Sequence, residues 1–208
     1  MKIIFLFFFM VSIVSNAFSA DVSIFDIQGF RLGESFSTVL KKISCQNPEI
    51  DKKYLNGKVS SIDLQCDYGK DGFFRFEFEH NEKLYRMTKV FWFYDNKSDY
   101  KQIFEKIRSK YGEPKFSGTV RRRSDGEERY SMCWGGCKTD ISDSSDKVWK
   151  GKWVGENDKE KSLDIEFSKY INRGDGEPDP ILVMSLYDPK LLHESLDWYK
   201  KKELDIQF

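Results

Sequence analysis

A strict alternation of aromatic and charged residues restricts this chain to a fold that contains an antiparallel sheet. Between Phe73 and His80, every second residue is apolar: Phe74, Phe76, Phe78. The intervening residues are charged: Arg75, Glu77, Glu79. A period of two predicts a strand with one buried face and one wet face. Asn81-Glu82-Lys83 predicts a turn, and Leu84–Tyr94 predicts the returning strand of a hairpin.

Apolar stripes and capping residues predict three helices. The first begins near Ser35, the second after Ser98 and the third after Asp188, and each of these side chains can cap a helix N-terminus. Gly112 then ends the second helix in a left-handed conformation. The predicted inward faces are Phe36, Val39, Leu40 and Ile43 in the first helix, Tyr100, Ile103, Phe104, Ile107 and Tyr111 in the second, and Leu192, Leu196 and Tyr199 in the third.

The remaining predicted elements are strands, which together with the helices indicate an α+β fold with antiparallel sheet packed by helices. They are a short strand before Gly29, Val59–Tyr68, a hairpin over Thr119–Met132, Val148–Val154, Leu163–Tyr170 and Ile181–Tyr187. Polar loops are predicted at Asp140–Asp146 and Asn172–Pro180. We expect two tandem helix-plus-sheet units, residues 20–95 and 96–208, or one continuous domain that contains both.

Residues 1–19 have the pattern of a cleavable signal peptide. The apolar run Ile3–Val14 is about a dozen residues long, shorter than the roughly twenty that cross a bilayer. Cleavage between Ser19 and Ala20 puts a small residue at both recognition positions, and cleavage after Ala17 or Ala20 is the alternative. We therefore expect a periplasmic or secreted protein with no stable membrane insertion after cleavage.

All four cysteines lie in the predicted mature chain: Cys45, Cys66, Cys133 and Cys137. An even number in an oxidising compartment predicts disulfides, for which three connectivities are possible. We favour a Cys45–Cys66 disulfide and a Cys133–Cys137 disulfide, because each bond then lies within one half of the chain. Closing the first loop stabilises the fold by roughly 3 kcal/mol. The C-x₃-C spacing is typical of neither a zinc site nor a redox pair, so we expect no metal.

The balanced charge and the absence of several catalytic and ligand-binding motifs exclude some classes of function. Lysine and arginine number 34, as do aspartate and glutamate, so bulk charge gives no reason to bind nucleic acid. The sequence has no nucleophile elbow, no phosphate-binding glycine loop and no H-E-x-x-H motif. We expect no cofactor and no catalytic residues, and both His80 and His193 are predicted to lie at the surface or at the rim of the core.

Two clusters supply the candidate binding residues: Trp149, Lys150, Lys152 and Trp153, with Arg121, Arg122 and Arg123. In a strand, the two tryptophans share a face, which suits a platform for a sugar ring; alternatively they fill the core. The arginines suit an anionic partner, or they form one strand of a salt-bridged hairpin opposite Glu127 and Glu128. A two-residue turn at Asp125-Gly126 predicts that Arg123 faces Glu128.

Two short motifs resemble known exported bacterial proteins. Gly29-Phe30-Arg31-Leu32-Gly33-Glu34-Ser35, followed by Val39, and Lys110-Tyr111-Gly112-Glu113-Pro114 are similar to the helix–sheet module of BamE-like envelope proteins and of beta-lactamase-inhibitor-like tandem repeats. The resemblance implies a scaffold or inhibitor that works by surface contact. The chain has no cysteine at the predicted cleavage site, where a BamE-like lipoprotein carries its lipid.

The leading hypothesis is a soluble exported binding protein that acts by contact with another envelope or secreted protein, as an inhibitor or immunity-type factor. One alternative is an envelope glycan or peptidoglycan binder that uses Trp149 and Trp153. The other is a hydrolase with a carboxylate or His80-based site, which requires a cleft that gathers His80 or acidic residues from both halves of the chain.

Overall fold

The computed structural model describes residues 21–45, 47–93, 100–122, 128–142, 149–157, 159–169 and 181–204. Within these ranges the chain forms three α-helices: α1 (Phe36–Lys42), α2 (Tyr100–Tyr111) and α3 (Pro189–Leu204). The strands are β1 (Glu49–Leu55), β2 (Lys58–Asp67), β3 (Phe73–Phe78), β4 (Leu84–Trp92), β5 (Phe116–Arg122), β6 (Glu128–Gly135), β7 (Cys137–Ser142), β8 (Trp149–Glu156), β9 (Ser162–Lys169) and β10 (Ile181–Tyr187).

The strands form one antiparallel sheet in the order β1-β2-β3-β4-β10-β9-β6-β5-β8-β7. This confirms the predicted α+β class. The two halves of the chain meet where β4 pairs with β10, from Ile181 opposite Trp92 to Tyr187 opposite Arg86. Strands from both predicted units therefore belong to a single continuous sheet.

The hydrophobic core lies on the sheet face that carries Phe74, Phe76 and Phe78, as the alternation predicts. All three rings are buried. Helix α1 covers one part of this face, where Phe36 meets Phe78 edge to face with ring centroids 5.4 Å apart. Helix α2 covers another part, where Phe104 contacts Phe167. Each buried aromatic side chain contributes roughly 2–3 kcal/mol to folding.

The caps predicted at Ser35, Asp188 and Gly112 are present, and Ser98, the predicted cap of α2, lies outside the described residues. The Ser35 hydroxyl accepts the Thr38 backbone N–H, and the Asp188 carboxylate accepts the N–H of Lys190 at 3.1 Å. Gly112 has φ +80° and its N–H donates to the Arg108 carbonyl, which closes α2. The predicted inner face of α3 is wrong at Leu196, which is 44% exposed, because the helix buries the neighbouring Ser195 instead.

The turn between β3 and β4 depends on Glu79, which the alternation places on the wet face. This prediction is wrong, since Glu79 is only 2% exposed. Strand β3 ends at Phe78, and the Glu79 carboxylate turns inward to accept the backbone N–H groups of Asn81 and Lys83 at 2.9 and 3.0 Å. The carboxylate replaces the water that these amides would otherwise need.

Three local predictions differ from the structure. The segment before Gly29 contains a 3₁₀ helix at Val22–Ile24 rather than a strand. Strand β1 was not predicted because its first six residues are exposed on both faces and show no apolar alternation. Part of the predicted loop at Asp140–Asp146 belongs to β7, which is stabilised by backbone pairing with β8 rather than by an apolar pattern.

Both predicted disulfides are present. Cys45 joins Cys66 and Cys133 joins Cys137, with Cα–Cα distances of 5.8 and 6.0 Å. The second disulfide spans the corner between β6 and β7. At this corner Gly136 donates its N–H to the Lys161 carbonyl, and a Cβ atom there would overlap the Glu160 backbone. A glycine is therefore required for the chain to pass so close to the β8–β9 connection.

Candidate ligand-binding cleft

A cavity lies between the phenylalanine face of the sheet and the segment that runs from Gln28 to Ser44. Its volume is about 810 Å³. The side chains that define it come from the N-terminal segment, α1, the connection after β2, and strands β3 and β4: Phe30, Lys42, Tyr68, Asp71, Phe74, Lys89 and Phe91. This volume lies within the range of roughly 300–1,000 Å³ that is usual for small-ligand sites.

Lys89 is the unusual residue of this cleft, because it is a lysine on the apolar face of a central strand. It lies opposite Phe74 in the β3–β4 register and is only 4% exposed. Its ammonium nitrogen lies 4.6, 4.7 and 5.1 Å from the ring centroids of Tyr68, Phe74 and Phe91. These distances are typical of cation–π contacts, which stabilise a partly desolvated cation.

The Lys89 ammonium has no ion-pair partner in the described part of the chain. Burial lowers the pKa of Lys89 below its usual range, and the more distant charges of Asp71 and Asp67 oppose this effect without cancelling it. The three rings compensate only part of the desolvation cost of an ammonium group. An anionic group that enters the cleft would therefore meet a cation that is already stripped of water.

The other lysine of the cleft, Lys42, is already engaged. Its Nζ atom lies 2.6 Å from Glu34 Oε1 and donates to the Gly29 carbonyl at 3.1 Å. These bonds tie the end of α1 to the N-terminal segment and so hold one wall of the cleft in place. Lys42 also lies over the Phe30 ring at 5.8 Å. Lys42 therefore has a salt bridge and Lys89 has none among the described residues, although the Asp71 carboxylate also lines the cleft and acts on Lys89 through space.

The Cys45–Cys66 disulfide fixes the same wall to the sheet. Ser44 lines the cleft, and the adjacent Cys45 is bonded to Cys66, which pairs with Phe74 across β2 and β3. Cys66 is fully buried. Since this bond joins the segment after α1 to the strand next to the Lys89 cage, it sets the width of the cleft as well as stabilising the fold.

The predicted binding residues lie elsewhere in the sheet, and the backbone brings them together. Strands β5 and β8 pair with Arg121 opposite Lys150 and Arg122 opposite Trp149. Lys152 and Trp153 follow in β8, opposite β7. Arg123 lies outside the described residues, as do the side chains of the others. The glycan alternative depends on those indole side chains and stays a prediction.

The predicted register of the β5–β6 hairpin is wrong by two residues. Glu128 pairs with Arg121 rather than with Arg123. A two-residue turn at Asp125-Gly126 would require the second pairing, so the register excludes that turn; residues 123–127 lie outside the described residues. The arginine strand nevertheless runs antiparallel to the strand that begins with Glu128, as predicted.

His80 packs beside the β3–β4 turn. Its ring stacks on Trp198 of α3, with centroids 4.9 Å apart and planes 15° from parallel. Its Nδ1 atom lies 2.8 Å from Glu79 Oε2, but the two groups are not aligned for a hydrogen bond. Because the Glu79 carboxylate already accepts two backbone N–H groups, this contact belongs to the turn. His193 is exposed on α3.

Lys89 was missed by the sequence reasoning, although a local signal for it exists. Met87, Lys89 and Phe91 occupy alternate positions of β4, so a lysine interrupts an inward apolar row. The alternation in β3 marks this kind of row as the buried face of the sheet. A charged residue in such a row is more informative than the tryptophan–lysine and arginine clusters, because burial of a charge needs a physical reason.

The fold and cleft define a class: an antiparallel α+β protein with two disulfides and a cationic, aromatic-lined cleft on one sheet face. No protein-family model, curated protein or solved structure matches the chain. Across the described ranges, no group of three or more metal-ligating side chains occurs, and none of the helices there is long and apolar enough to cross a membrane.

Proposed function

We propose that this protein is an exported binding protein that recognises a carboxylate of another envelope or secreted protein in the Lys89 cleft. The observation that carries the proposal is the buried Lys89 ammonium, which is surrounded by three aromatic rings and has no ion-pair partner among the described residues. An inhibitor or immunity-type factor would use such a cleft to hold one anchor residue of its target.

Charge complementarity favours a carboxylate over a more highly charged anion. Lys42 is neutralised by Glu34, so Lys89 is the cleft lysine that has no salt bridge among the described residues, and the Asp71 carboxylate in the lining disfavours anions of higher charge. A monoanion matches one charge, whereas phosphate groups are usually bound by several cations or by forked arginine donors. The bound carboxylate would offset the desolvation of the ammonium and would gain a short charge-assisted hydrogen bond.

The aromatic walls favour a carboxylate that is attached to an apolar group. Phe30, Phe74 and Phe91 line the cleft, and a second cavity of about 230 Å³ adjoins it at Gln28 and Phe91. Met184 and Ile107 line that second cavity. A polypeptide that ends in an apolar residue supplies both parts, a terminal carboxylate for Lys89 and a side chain for the apolar walls.

The two disulfides fit a protein that matures in an oxidising environment. The predicted signal peptide lies in residues 1–19, outside the described residues, and its cleavage at Ser19/Ala20 is part of the proposal. The partner would therefore be another exported protein.

Calorimetric titration with three short peptides tests the proposal. The probes are N-acetyl-Ala-Leu-Phe with a free carboxylate, its C-terminal amide, and N-acetyl-Ala-Leu-Glu amide. We expect the free acid to bind and its amide to bind roughly tenfold or more weakly, as for loss of a charge-assisted bond worth about 1.5–3 kcal/mol. Stronger binding of the glutamate peptide would instead assign the cleft to an acidic side chain.

Two variants locate the interaction. Lys89→Met keeps the length of the side chain and removes the charge, so it should abolish the preference for the free acid. Lys83→Met changes an exposed lysine in the β3–β4 turn and should bind as the unmodified protein does. Equal binding of acid and amide, unchanged binding by Lys89→Met, or no binding of either carboxylate peptide would reject the proposal.

A further inference from the structure

The opposite face of the sheet carries a second polar site, which is built from one row of cross-strand neighbours. The register aligns Arg75 of β3 with Thr88 of β4, Thr88 with Ser185 of β10, and Ser185 with Asp164 of β9. These four residues line a cavity of about 440 Å³. Phe73 and Val183 form its apolar side, and Arg86 and Glu77 line its other side.

Asp164 is the unsatisfied group of this cavity. Its Oδ1 atom is buried and has no hydrogen-bond partner among the described residues. A buried acceptor without a donor is costly, and such groups are uncommon in folded proteins. Burial and then the negative charge of Glu166 raise the pKa of Asp164 from 3.8 to about 7, against smaller opposing effects of the Ile165 amide and Arg86.

The neighbouring charged side chains already have partners. Arg75 donates to both oxygens of Asp63 and lies 3.8 Å from Glu77. Glu166 accepts from Arg129 at 3.2 Å. The Arg86 guanidinium lies over the Tyr187 ring at 4.7 Å. In the described part of the chain, Asp164 is therefore the cavity carboxyl that still needs a donor.

Separation of the carboxyl groups distinguishes this cavity from a hydrolytic site. Glu77 and Asp164 come from the two halves of the chain and both line the cavity, as the hydrolase alternative requires. Three strand spacings separate β3 from β9 in the sheet order, which is roughly 14 Å. The carboxyl pair of a glycosidase lies only about 5–9.5 Å apart. The geometry favours binding over acid–base hydrolysis.

We propose that this cavity is a second binding site, which takes an alkyl ammonium group at Asp164. A compact ammonium has three N–H donors. The Asp164 carboxylate can accept one of them, and the hydroxyl oxygens of Ser185 and Thr88, the next residues along the row, can accept the others. The alkyl stem of the ligand would lie along Phe73 and Val183. A lysine side chain of a polypeptide and a free amine share this chemistry.

The site is independent of the Lys89 cleft, because Thr88 and Lys89 alternate along β4 and face opposite sides of the sheet.

The proposal also predicts how the affinity for an amine depends on pH. Ammonium binding requires ionised Asp164, so each bound amine releases close to one proton when the pH is below the pKa of that carboxyl. The affinity should rise about tenfold per pH unit below that pKa and level off above it.

Calorimetry with n-butylamine, N-acetyl-lysine methylamide and n-butanol tests the proposal. Both amines should bind at pH 7.5, with a heat that depends on the ionisation enthalpy of the buffer at pH 6, whereas the neutral alcohol should not bind. Tighter binding of the lysine derivative would assign the site to a polypeptide side chain, and tighter binding of butylamine would assign it to a free amine.

Asp164→Asn should lose amine binding by tenfold or more, and Asp51→Asn, on the exposed β1, should retain it. Amine binding that is unchanged by Asp164→Asn, or that is equal for butanol and butylamine, would overturn the proposal, as would an absence of binding by both amines. The carboxyl carbon resonance of Asp164 in the unmodified protein gives a second readout, since a bound amine should lower the titration midpoint of that resonance.

The peptide titration that tests the Lys89 cleft serves as the fold control for Asp164→Asn. The asparagine variant should bind the free-acid peptide as the unmodified protein does. Failure of amine binding with intact peptide binding rejects only the second site, and the reverse result rejects only the Lys89 proposal.

Discussion

Thr88 and Lys89 are neighbours in β4, and their side chains lie on opposite faces of the sheet in different environments. Lys89 enters an aromatic cage on the core face, and Thr88 belongs to a polar row on the other face. Neither role follows from residue type alone. At the scale of single residues, the buried Lys89 ammonium and the Asp164 carboxyl with its buried Oδ1 atom are the features that a solvated sheet surface does not explain.

Replacement of Asp164 by asparagine should make the stability of the protein less sensitive to pH. The folded state holds the Asp164 proton up to about pH 7, whereas the unfolded chain releases it near 3.8. The unfolded state therefore binds fewer protons between these values, and the free energy of unfolding falls as the pH rises through this window. The slope contributed by this group approaches about 1.4 kcal/mol per pH unit.

Urea denaturation at a series of pH values measures this effect. Asp164→Asn should match the unmodified protein near pH 4 and become the more stable of the two at pH 7 and above. Asp51→Asn should change the free energy of unfolding by less than about 0.5 kcal/mol, as for other exposed substitutions. A constant difference between Asp164→Asn and the unmodified protein from pH 4 to 8 would contradict the prediction.

At the scale of elements, the two disulfides differ in the length of the loop that they close and in the part of the fold that they hold in place. Cys45–Cys66 closes a loop with a sequence separation of 21 and holds the wall of the Lys89 cleft. Cys133–Cys137 has a separation of 4 and spans the β6–β7 corner, where Phe116 packs against both cysteines. The loop-entropy relation gives about 3 kcal/mol for the longer loop and about 2 kcal/mol for the shorter one.

The double variant Cys45→Ala/Cys66→Ala should therefore lose stability by about 3 kcal/mol and also bind the free-acid peptide more weakly. Its matched control, Cys133→Ala/Cys137→Ala, should lose about 2 kcal/mol and keep the peptide affinity. Thermal denaturation and calorimetry on the same samples provide both values. Equal peptide affinities for the two variants would show that the first disulfide does not shape the cleft.

Local signals account for the elements that the sequence predicts correctly. Ser35, Gly112 and Asp188 act on the backbone within a few residues, so the helix ends can be inferred without knowledge of the tertiary structure. The phenylalanine row of β3 carries its own periodicity. Strands β1 and β7 lack both kinds of signal, because pairing with β2 and β8 defines them. Their prediction would require the register of distant segments.

At the scale of the whole molecule, the sheet order is the property that the sequence least reveals. The alternation in Phe73–His80 predicts which face is buried, but it does not predict that β4 pairs with β10 or that β6 lies between β9 and β5. The Lys89 cleft has a local signal in β4. The Asp164 site has none, since the alternation of β9 marks Asp164 as a wet-face residue and only the assembled sheet surrounds it.

Because the two halves pair along all of β10, the protein should unfold in one cooperative transition. Far-ultraviolet circular dichroism and tryptophan fluorescence should give the same midpoint. Leu182→Ala removes a buried side chain at the β4–β10 junction and should lower both midpoints together, at a cost of about 2–5 kcal/mol. Leu196→Ala, on the exposed side of α3, is the control. Separate transitions for the two probes would indicate two independent units.

Strand β1 is an edge strand of the sheet. Its outer edge is a place where strands of two copies of the protein could pair at high concentration. Four of its seven residues are charged, Glu49, Asp51, Lys52 and Lys53, and a bulge between Lys53 and Tyr54 breaks the regular spacing of its backbone groups. Both features oppose the addition of a further strand. The outer edge of β1 should therefore not pair with a second copy of the chain.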